Sequence, residues 1–143
     1  MLVSQVLKDK GDLVFTAGPG ETVGAIAAML SERRVGAIVV VGGERDVVGI
    51  VSERDIVRIV AASGGEGLAT PVSACMTRDV IFAEPSETVD SLLERMTDRR
   101  IRHLPVCVDH RLVGIISIGD LVKTKIAETV AEAEGLRAYI SAA

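Results

Sequence analysis

Two places in the sequence carry a serine followed three positions later by an aspartate, each directly after a β-branched run: Ser52 with Asp55, and Ser117 with Asp120. At a helix start this spacing is close to a capping box, with aspartate in place of the usual glutamate. The same carboxylate has a second use, because its two oxygens can accept the two hydroxyl groups of a ribose. The positive end of the helix keeps it ionised and favours an anion nearby. Taken alone, the pattern favours the cap, because caps are far more common than ligand sites.

Both motifs belong to an internal repeat that spans most of the chain. Glu21-Thr22-Val23 recurs 66 positions later as Glu87-Thr88-Val89, and, after one deletion, Val48-Gly49-Ile50 recurs 65 positions later as Val113-Gly114-Ile115. A match of this length with a single gap indicates a duplication. We call residues at the same place in the two copies matched residues, and Asp55 and Asp120 are such a pair.

Each copy has the hydrophobic pattern of a small mixed unit. Apolar residues at helical spacing predict an amphipathic helix from about Val23 and another from about Val89. Two β-branched runs separated by a turn predict a hairpin in each copy, followed by a second helix. The predicted strands cover 37–41 and 47–51 in the first copy and 104–108 and 112–116 in the second, and the predicted second helices cover 53–62 and 118 into the 120s.

These elements predict an α/β (α+β) fold of tandem repeats, each in the order strand, helix, strand, strand, helix. Neither repeat, at about 60 residues, buries much apolar surface alone, so we expect the two to pack face to face with pseudo-two-fold symmetry. The expected boundaries are 1–63 for the first repeat, 64–70 for a linker, 71–126 for the second repeat and 127–143 for a helical tail. The tail is either a continuation of the last helix or a separate one, and either an oligomer contact or a simple extension.

Composition excludes several classes of protein. Of the 143 residues 48% are hydrophobic, which excludes a disordered polar chain, and no apolar run approaches the roughly 18 residues of a membrane span. The formal net charge of −4 argues against duplex nucleic acid as the main partner. Two cysteines give no disulfide framework, and the first residues lack the pattern of a signal peptide, so we expect a cytoplasmic protein with no membrane partner.

The ordered motifs Pro-x-x-Thr-Val, Arg-His-Leu-Pro-Val and Gly-Ile-hydrophobic-Ser-x-x-Asp resemble those of the CBS domain, the module named after cystathionine β-synthase. The first occurs at Pro19 and Pro85 and the last at Gly49 and Gly114, and the resemblance covers residues 1 to about 126. Two such repeats with little else resemble a stand-alone CBS pair, or Bateman module.

This resemblance implies a regulatory module with no catalytic residues and no catalytic cofactor. It implies an adenosine nucleotide as ligand, with AMP, ADP, ATP, NAD(H) and S-adenosylmethionine as candidates. It also implies a homodimer. We expect no fused effector domain, so the signal is expected to reach a separate effector protein or to act through the dimer.

The resemblance further implies two binding clefts, each built from both repeats. The residues that match the first cleft are Thr16, Ala37, Ile38, Ser117 and Asp120. The residues that match the second cleft are Ile81, Phe82, Arg102, His103, Leu104, Pro105, Ser52, Arg54 and Asp55. The second cleft departs from the pattern, because Phe82 stands where the first has Thr16. A hydroxyl is lost there but an aromatic ring can stack on a base, so we expect the two clefts to prefer different ligands.

The densest basic group in this acidic chain is Arg99, Arg100, Arg102 and His103. Arg99 and Arg100 are typical of cations at a helix C-terminus, and Arg33–Arg34 occupy the same place in the first copy. Arg102 and His103 have no basic counterpart, since their matched residues are glycine and alanine. They stand where the family places side chains that contact phosphate, and we expect them to bind phosphate in one cleft only.

Two other classes of function receive less support. An enzyme needs an acid–base or nucleophile constellation, which the sequence does not offer. His103, Cys107 and His110 suggest a metal site, but a structural zinc ion takes four ligands, so we expect no metal. The alternative to a sensor is a ligand-independent structural or interaction module in which both Ser-x-x-Asp motifs only cap helices.

Overall fold

The computed structural model describes residues 1–11 and 13–142. Its helices are α1 (Val3–Lys10), α2 (Val23–Arg33), α3 (Glu53–Ser63), α4 (Val89–Arg99) and α5 (Ile118–Ala142). Its strands are β1 (Thr16–Ala17), β2 (Ala37–Val41), β3 (Val47–Ser52), β4 (His103–Val108) and β5 (Arg111–Ser117). Both predicted hairpins and the two predicted helices of each repeat are present, and the tandem α/β (α+β) fold is confirmed.

The strands form one small sheet in each repeat. In the first, β1 runs parallel to β2 and β2 antiparallel to β3, whereas in the second β4 and β5 form an antiparallel hairpin. The leading strand expected in the second repeat is reduced to one parallel bridge at Ala83. The register places Ala37 opposite Ser52 and His103 opposite Ser117. The first residues of β2 and β4 therefore lie beside the serines of the two Ser-x-x-Asp motifs.

The first long helix of each repeat begins at a threonine and ends at an arginine. The Oγ1 atoms of Thr22 and Thr88 each accept a hydrogen bond from the amide three residues later, at 3.1 Å. Each bond satisfies one of the free amides of the first turn. Arg34 follows α2 and Arg100 follows α4, and their left-handed φ angles of 54° and 53° end the two helices in the same way.

Each repeat is completed by the segment that leads into the other repeat. We call residues 1–10 and 71–80 the entry segments. Val3 and Val6, from the first entry segment, are buried in the core of the second repeat, and Val72, from the second entry segment, is buried in the core of the first. Burial of apolar surface is the main favourable term in folding. Neither repeat therefore has a complete core of its own.

The main chain fixes this exchange with matched hydrogen bonds. The Val3 amide donates to the Glu87 carbonyl at 2.9 Å, and the Val72 amide donates to the Glu21 carbonyl at 2.7 Å. Because Glu21 and Glu87 are matched residues, the exchange follows the pseudo-two-fold symmetry of the duplication. Each apolar core consequently includes residues from beyond the boundaries at 63 and 71 that the repeat suggests.

The segments outside the two cores are helical. The expected linker contains a 3-10 segment, Gly64–Ala69, in which Gly67 is buried. Helix α5 runs unbroken for 25 residues, so the predicted tail continues it through Ala142, and Ala143 lies outside the described residues. Side chains from 131 to 142 are all exposed. Within residues 1–11 and 13–142, no helix combines the length and the apolar character that crossing a membrane requires.

Candidate functional site

The carboxylate of Asp55 lies at the start of α3, where the Ser-x-x-Asp motif of the first repeat predicts it. Its Oδ2 accepts hydrogen bonds from the Ser52 amide at 2.9 Å and from the Ser52 hydroxyl at 3.2 Å. The residue is only 8% exposed, and its Oδ1 lies 3.8 Å from Nη1 of Arg58, beyond hydrogen-bond distance. The motif therefore caps the helix with Oδ2, and Oδ1 makes no hydrogen bond to the described residues.

A cavity of about 590 Å³ opens between the two repeats beside Asp55. Its walls come from the end of β3 and the start of α3, from the second entry segment, and from the end of α4 and the start of β4. The predicted site residues that line it are Ala37, Ser52, Arg54, Asp55, Ile81, Arg102, His103 and Pro105. The volume lies within the range of small-molecule sites. We call this space the Asp55 cavity.

Positive charge exceeds negative charge on the walls of the Asp55 cavity. The arginines that line it are Arg54, Arg58, Arg99, Arg100 and Arg102, and the carboxylates are Glu53, Asp55 and Asp79. The excess of guanidinium groups and the amino-terminal end of α3 both favour an anionic ligand. Asp55 offers an acceptor for neutral hydroxyl groups. The cavity thus suits a ligand that carries both an anion and hydroxyl groups.

His103 begins β4 at the junction between the repeats. A Cβ on Gly36 would lie 2.9 Å from its Cε1, so the ring occupies the space that a larger side chain at position 36 would need. Burial lowers the pKa of His103 below its ordinary value, although the charges of Glu53 and Asp120 act in the opposite direction. The ring is therefore neutral near pH 7. A bound phosphate would raise its pKa and favour a second ring proton.

The matched carboxylate, Asp120, has a different neighbour. Its Oδ2 accepts a hydrogen bond from the Ser117 amide at 2.8 Å and another from Lys10 Nζ at 2.7 Å. Burial by itself raises the pKa of Asp120, but the bonds from Lys10 and Ser117 outweigh burial and hold that pKa below its usual value. Asp120 is thus an ionised carboxylate already paired with a cation of the same chain.

A family model for the CBS domain matches residues 11–62 and, a second time, residues 72–126. The chain belongs to the CBS domain family. Each match contains one Ser-x-x-Asp motif, so the protein is a CBS pair, and the resemblance found in the sequence is confirmed.

Three solved structures extend the comparison. The CBS-domain containing protein ATU1752 from Agrobacterium tumefaciens is 42% identical, with a TM-score of 0.85 over 87% of this chain and 99% of that one. The CBS domain protein PAE2072 from Pyrobaculum aerophilum, complexed with AMP, is 28% identical, with a TM-score of 0.75 over 84% and 89%. The CBS domain pair of protein MJ0100, in complex with 5′-methylthioadenosine and S-adenosyl-L-methionine, is 26% identical, with a TM-score of 0.80 over 90% and 98%.

The CBS pair keeps some predicted site residues off the walls of the Asp55 cavity. Ile38 and Leu104 are fully buried in the cores of the two repeats. Thr16 pairs with Val39 in the first sheet, and Ser117 lies with Asp120 beside Lys10. Most residues of the second predicted cleft therefore line the Asp55 cavity, and most residues of the first predicted cleft do not.

Phe82 does not line the Asp55 cavity, although its neighbour Ile81 does. The ring is 41% exposed. The Phe82 carbonyl accepts a hydrogen bond at 2.8 Å from Nη1 of Arg95, which is itself paired with Glu87. This position gives no support to stacking of Phe82 on a base in the cavity, and that role stays a prediction.

The sequence alone misses several residues of the cavity wall. Arg99 and Arg100, expected as helix-end cations, are the last residue and the C-cap of α4, and both also line the cavity. The sequence does contain a signal for this role, because Arg99 and Arg100 lie within three positions of Arg102. Arg33, which matches Arg99, instead lies over the Phe15 ring, 5.0 Å from its centroid. The lining residues of the second entry segment, Thr77, Asp79 and Val80, follow from the exchange of entry segments, which the repeat pattern does not reveal.

Burial raises the pKa of the Cys75 and Cys107 thiols, and the nearby carboxylates Asp55 and Asp46 add to the effect, so both thiols stay protonated at neutral pH. Across residues 1–11 and 13–142, no group of three or more His, Cys, Asp or Glu side chains is placed to hold a metal ion.

Proposed function

We propose that this CBS pair is a non-catalytic regulatory module that binds an adenosine nucleotide (AMP, ADP, ATP or NAD(H)) in the Asp55 cavity. One observation carries the proposal: a single cavity joins a buried carboxylate at a helix start of one repeat to the arginines and His103 of the other. A ribose and a phosphate are the two groups that such walls recognise.

The expected pose follows from these walls. Asp55 accepts the two ribose hydroxyl groups, while Arg102 and His103 contact the phosphate. The complexes of PAE2072 with AMP and of MJ0100 with S-adenosyl-L-methionine support an adenosine-type ligand. The excess of arginine favours a phosphate over the positively charged sulfonium of S-adenosylmethionine, so we place the nucleotides first.

Binding in this cavity gives a physical route to regulation. The ligand touches α3 of the first repeat and β4 of the second, so it can favour one relative angle of the repeats over another. A ligand shifts such an equilibrium only through its different affinity for the two states. The new angle would then be recognised by a separate effector protein, or by a second copy of the chain.

We also propose that two copies form a homodimer, and α5 offers a surface for it. Val122, Ile126 and Val130 are exposed and spaced four residues apart, which puts them along one side of the helix. Size-exclusion chromatography with light scattering should give twice the mass of the 15.1 kDa chain. A monomeric mass at every concentration would contradict the dimer.

Calorimetric titration with AMP, ADP, ATP, NAD(H) and S-adenosylmethionine tests the nucleotide proposal. At least one phosphate-bearing ligand should bind, and Asp55→Ala should weaken that binding at least tenfold, because two hydrogen bonds to a charged group are lost. Asp120→Ala is the matched control, since it removes the equivalent cap and leaves the Asp55 cavity intact.

The alternative is a ligand-independent structural module. It is favoured by the fact that both Ser-x-x-Asp motifs do make capping hydrogen bonds, at Ser52 and at Ser117. On that reading no nucleotide would change the melting temperature. Asp55→Ala and Asp120→Ala would then each cost about 1 kcal/mol of stability and nothing else.

A further inference from the structure

The two matched carboxylates accept the same main-chain hydrogen bond within their own repeats. Asp55 accepts a hydrogen bond from the Ser52 amide at 2.9 Å, and Asp120 accepts one from the Ser117 amide at 2.8 Å. Both stand at the first turn of a helix that follows a strand. The charged groups that face the two carboxylates, by contrast, are different.

Lys10 lies beside Asp120, and both its side chain and its main chain are fixed in place. Its ammonium donates to Asp120 Oδ2 at 2.7 Å and to the Ile115 carbonyl at 2.9 Å. Its main chain ends α1, which is anchored by the buried Val3 and by the packing of Leu7 against Gly114. The side chains of Lys10 and Asp120 are 29% and 24% exposed, so the pair is only partly open to water.

The other entry segment does not repeat this arrangement. With Val72 matched to Val3, the counterpart of Lys10 is Asp79, an acid in place of a base. The second entry segment is not helical at Thr77, which instead exchanges both main-chain hydrogen bonds with Ile50, at 2.8 and 3.0 Å. The chain then continues along the wall of the Asp55 cavity.

The two carboxylates therefore differ in their charged neighbours, because only Asp120 Oδ2 accepts from an ammonium as well as from the amide of its own motif. The nearest cation to Asp55 is Arg58, at 3.8 Å, whereas Lys10 lies in direct hydrogen-bond contact with Asp120. A ribose that used both carboxylate oxygens of Asp120 would compete with that ammonium for Oδ2. If the ammonium moved away, the Ile115 carbonyl would lose its donor, and losing such a bond is costly in a partly buried place.

We propose that Lys10 is a specificity-determining residue that closes the first predicted cleft, at Asp120, so that each chain binds one nucleotide, in the Asp55 cavity. This inference rests on the proposed nucleotide binding and refines it. The ammonium of Lys10 binds the carboxylate that a ribose would otherwise bind at Asp120. Only one of the two duplicated clefts is then available to a nucleotide.

The number of AMP molecules bound per chain, measured by isothermal titration calorimetry, tests this inference. Wild-type protein should bind one, and Lys10→Ala should bind two. Lys10→Arg keeps a cation in reach of Asp120 and should bind one. Lys8→Ala is the matched control, because Lys8 is exposed on the same helix and the removal of its charge should leave one AMP per chain.

Variants of the two carboxylates distinguish the possible failures. In the Lys10→Ala background, Asp120→Ala should return the number from two to one, which ties the added site to this cleft. Two AMP molecules on the wild-type chain, or one on Lys10→Ala, would overturn the inference while leaving nucleotide binding intact. No AMP bound to any of these proteins would contradict AMP as the ligand of the proposed function, and with it the inference.

Discussion

Exchange of the entry segments makes the stability of each repeat depend on the other, and Val3→Ala tests this dependence. Val3 is fully buried in the core of the second repeat, although it precedes the first in the chain. The substitution removes two methyl-sized groups, at about 0.8 kcal/mol each. With the cavity left behind, the free energy of unfolding should fall by about 2–3 kcal/mol. For a chain of this size that lowers the melting temperature by about 5–10 °C.

Urea denaturation followed by circular dichroism should show a single transition that moves to lower urea with an unchanged slope. Unfolding of either repeat removes an entry segment from the other, so the two should unfold together. Leu13→Ala is the control, because Leu13 is 72% exposed and its loss should cost less than about 0.5 kcal/mol. A separate transition for one half of the chain, or equal effects of the two substitutions, would refute this reasoning.

Three further predictions concern the entry segment and the cavity. Gly114→Ala puts a Cβ 2.6 Å from Leu7 Cδ2, so the free energy of unfolding in urea should fall by about 1–3 kcal/mol. Arg102→Ala should weaken ATP binding about ten- to hundredfold and reduce its salt dependence in calorimetry; an unchanged affinity would remove Arg102 from the site. Burial lowers the pKa of His103 in the folded chain, so the unfolded chain binds a proton first and stability is lost as the pH falls below about 6.5. Urea midpoints between about pH 7.5 and pH 5 should therefore fall less steeply for His103→Gln than for the wild type.

The repeat and its hydrophobic periodicity predict the elements of the fold because those elements form from local sequence. Helix α4 begins at the expected Val89, and β2 covers the predicted 37–41. The pairing at Ala83 is the exception, since one bridge is all that remains of a predicted strand. How many residues pair depends on the approach of a neighbouring strand, which local pattern does not report.

The site is predicted only where the motif itself supplies the residues. Asp55 is predicted because the matched residue, Asp120, is also an aspartate. Arg102 is predicted because its matched residue is a glycine, which marks a difference between the repeats. Lys10 and Asp79 were missed because they lie on the entry segments, and their contacts join parts of the chain that are far apart in sequence. The bond from Lys10 to Asp120 spans 110 positions. No short-range pattern carries information about such a contact.

A lone ancestor of these repeats would have lacked part of its core, but two copies that traded entry segments would each have been complete. That arrangement is a domain-swapped dimer. Fusion through the Gly64–Ala69 linker holds the halves together at an effective concentration of about millimolar, whatever the concentration of the protein. Once joined, the halves no longer share one sequence, so each is free to diverge. Lysine at position 10 and aspartate at position 79 are one difference of this kind between the halves.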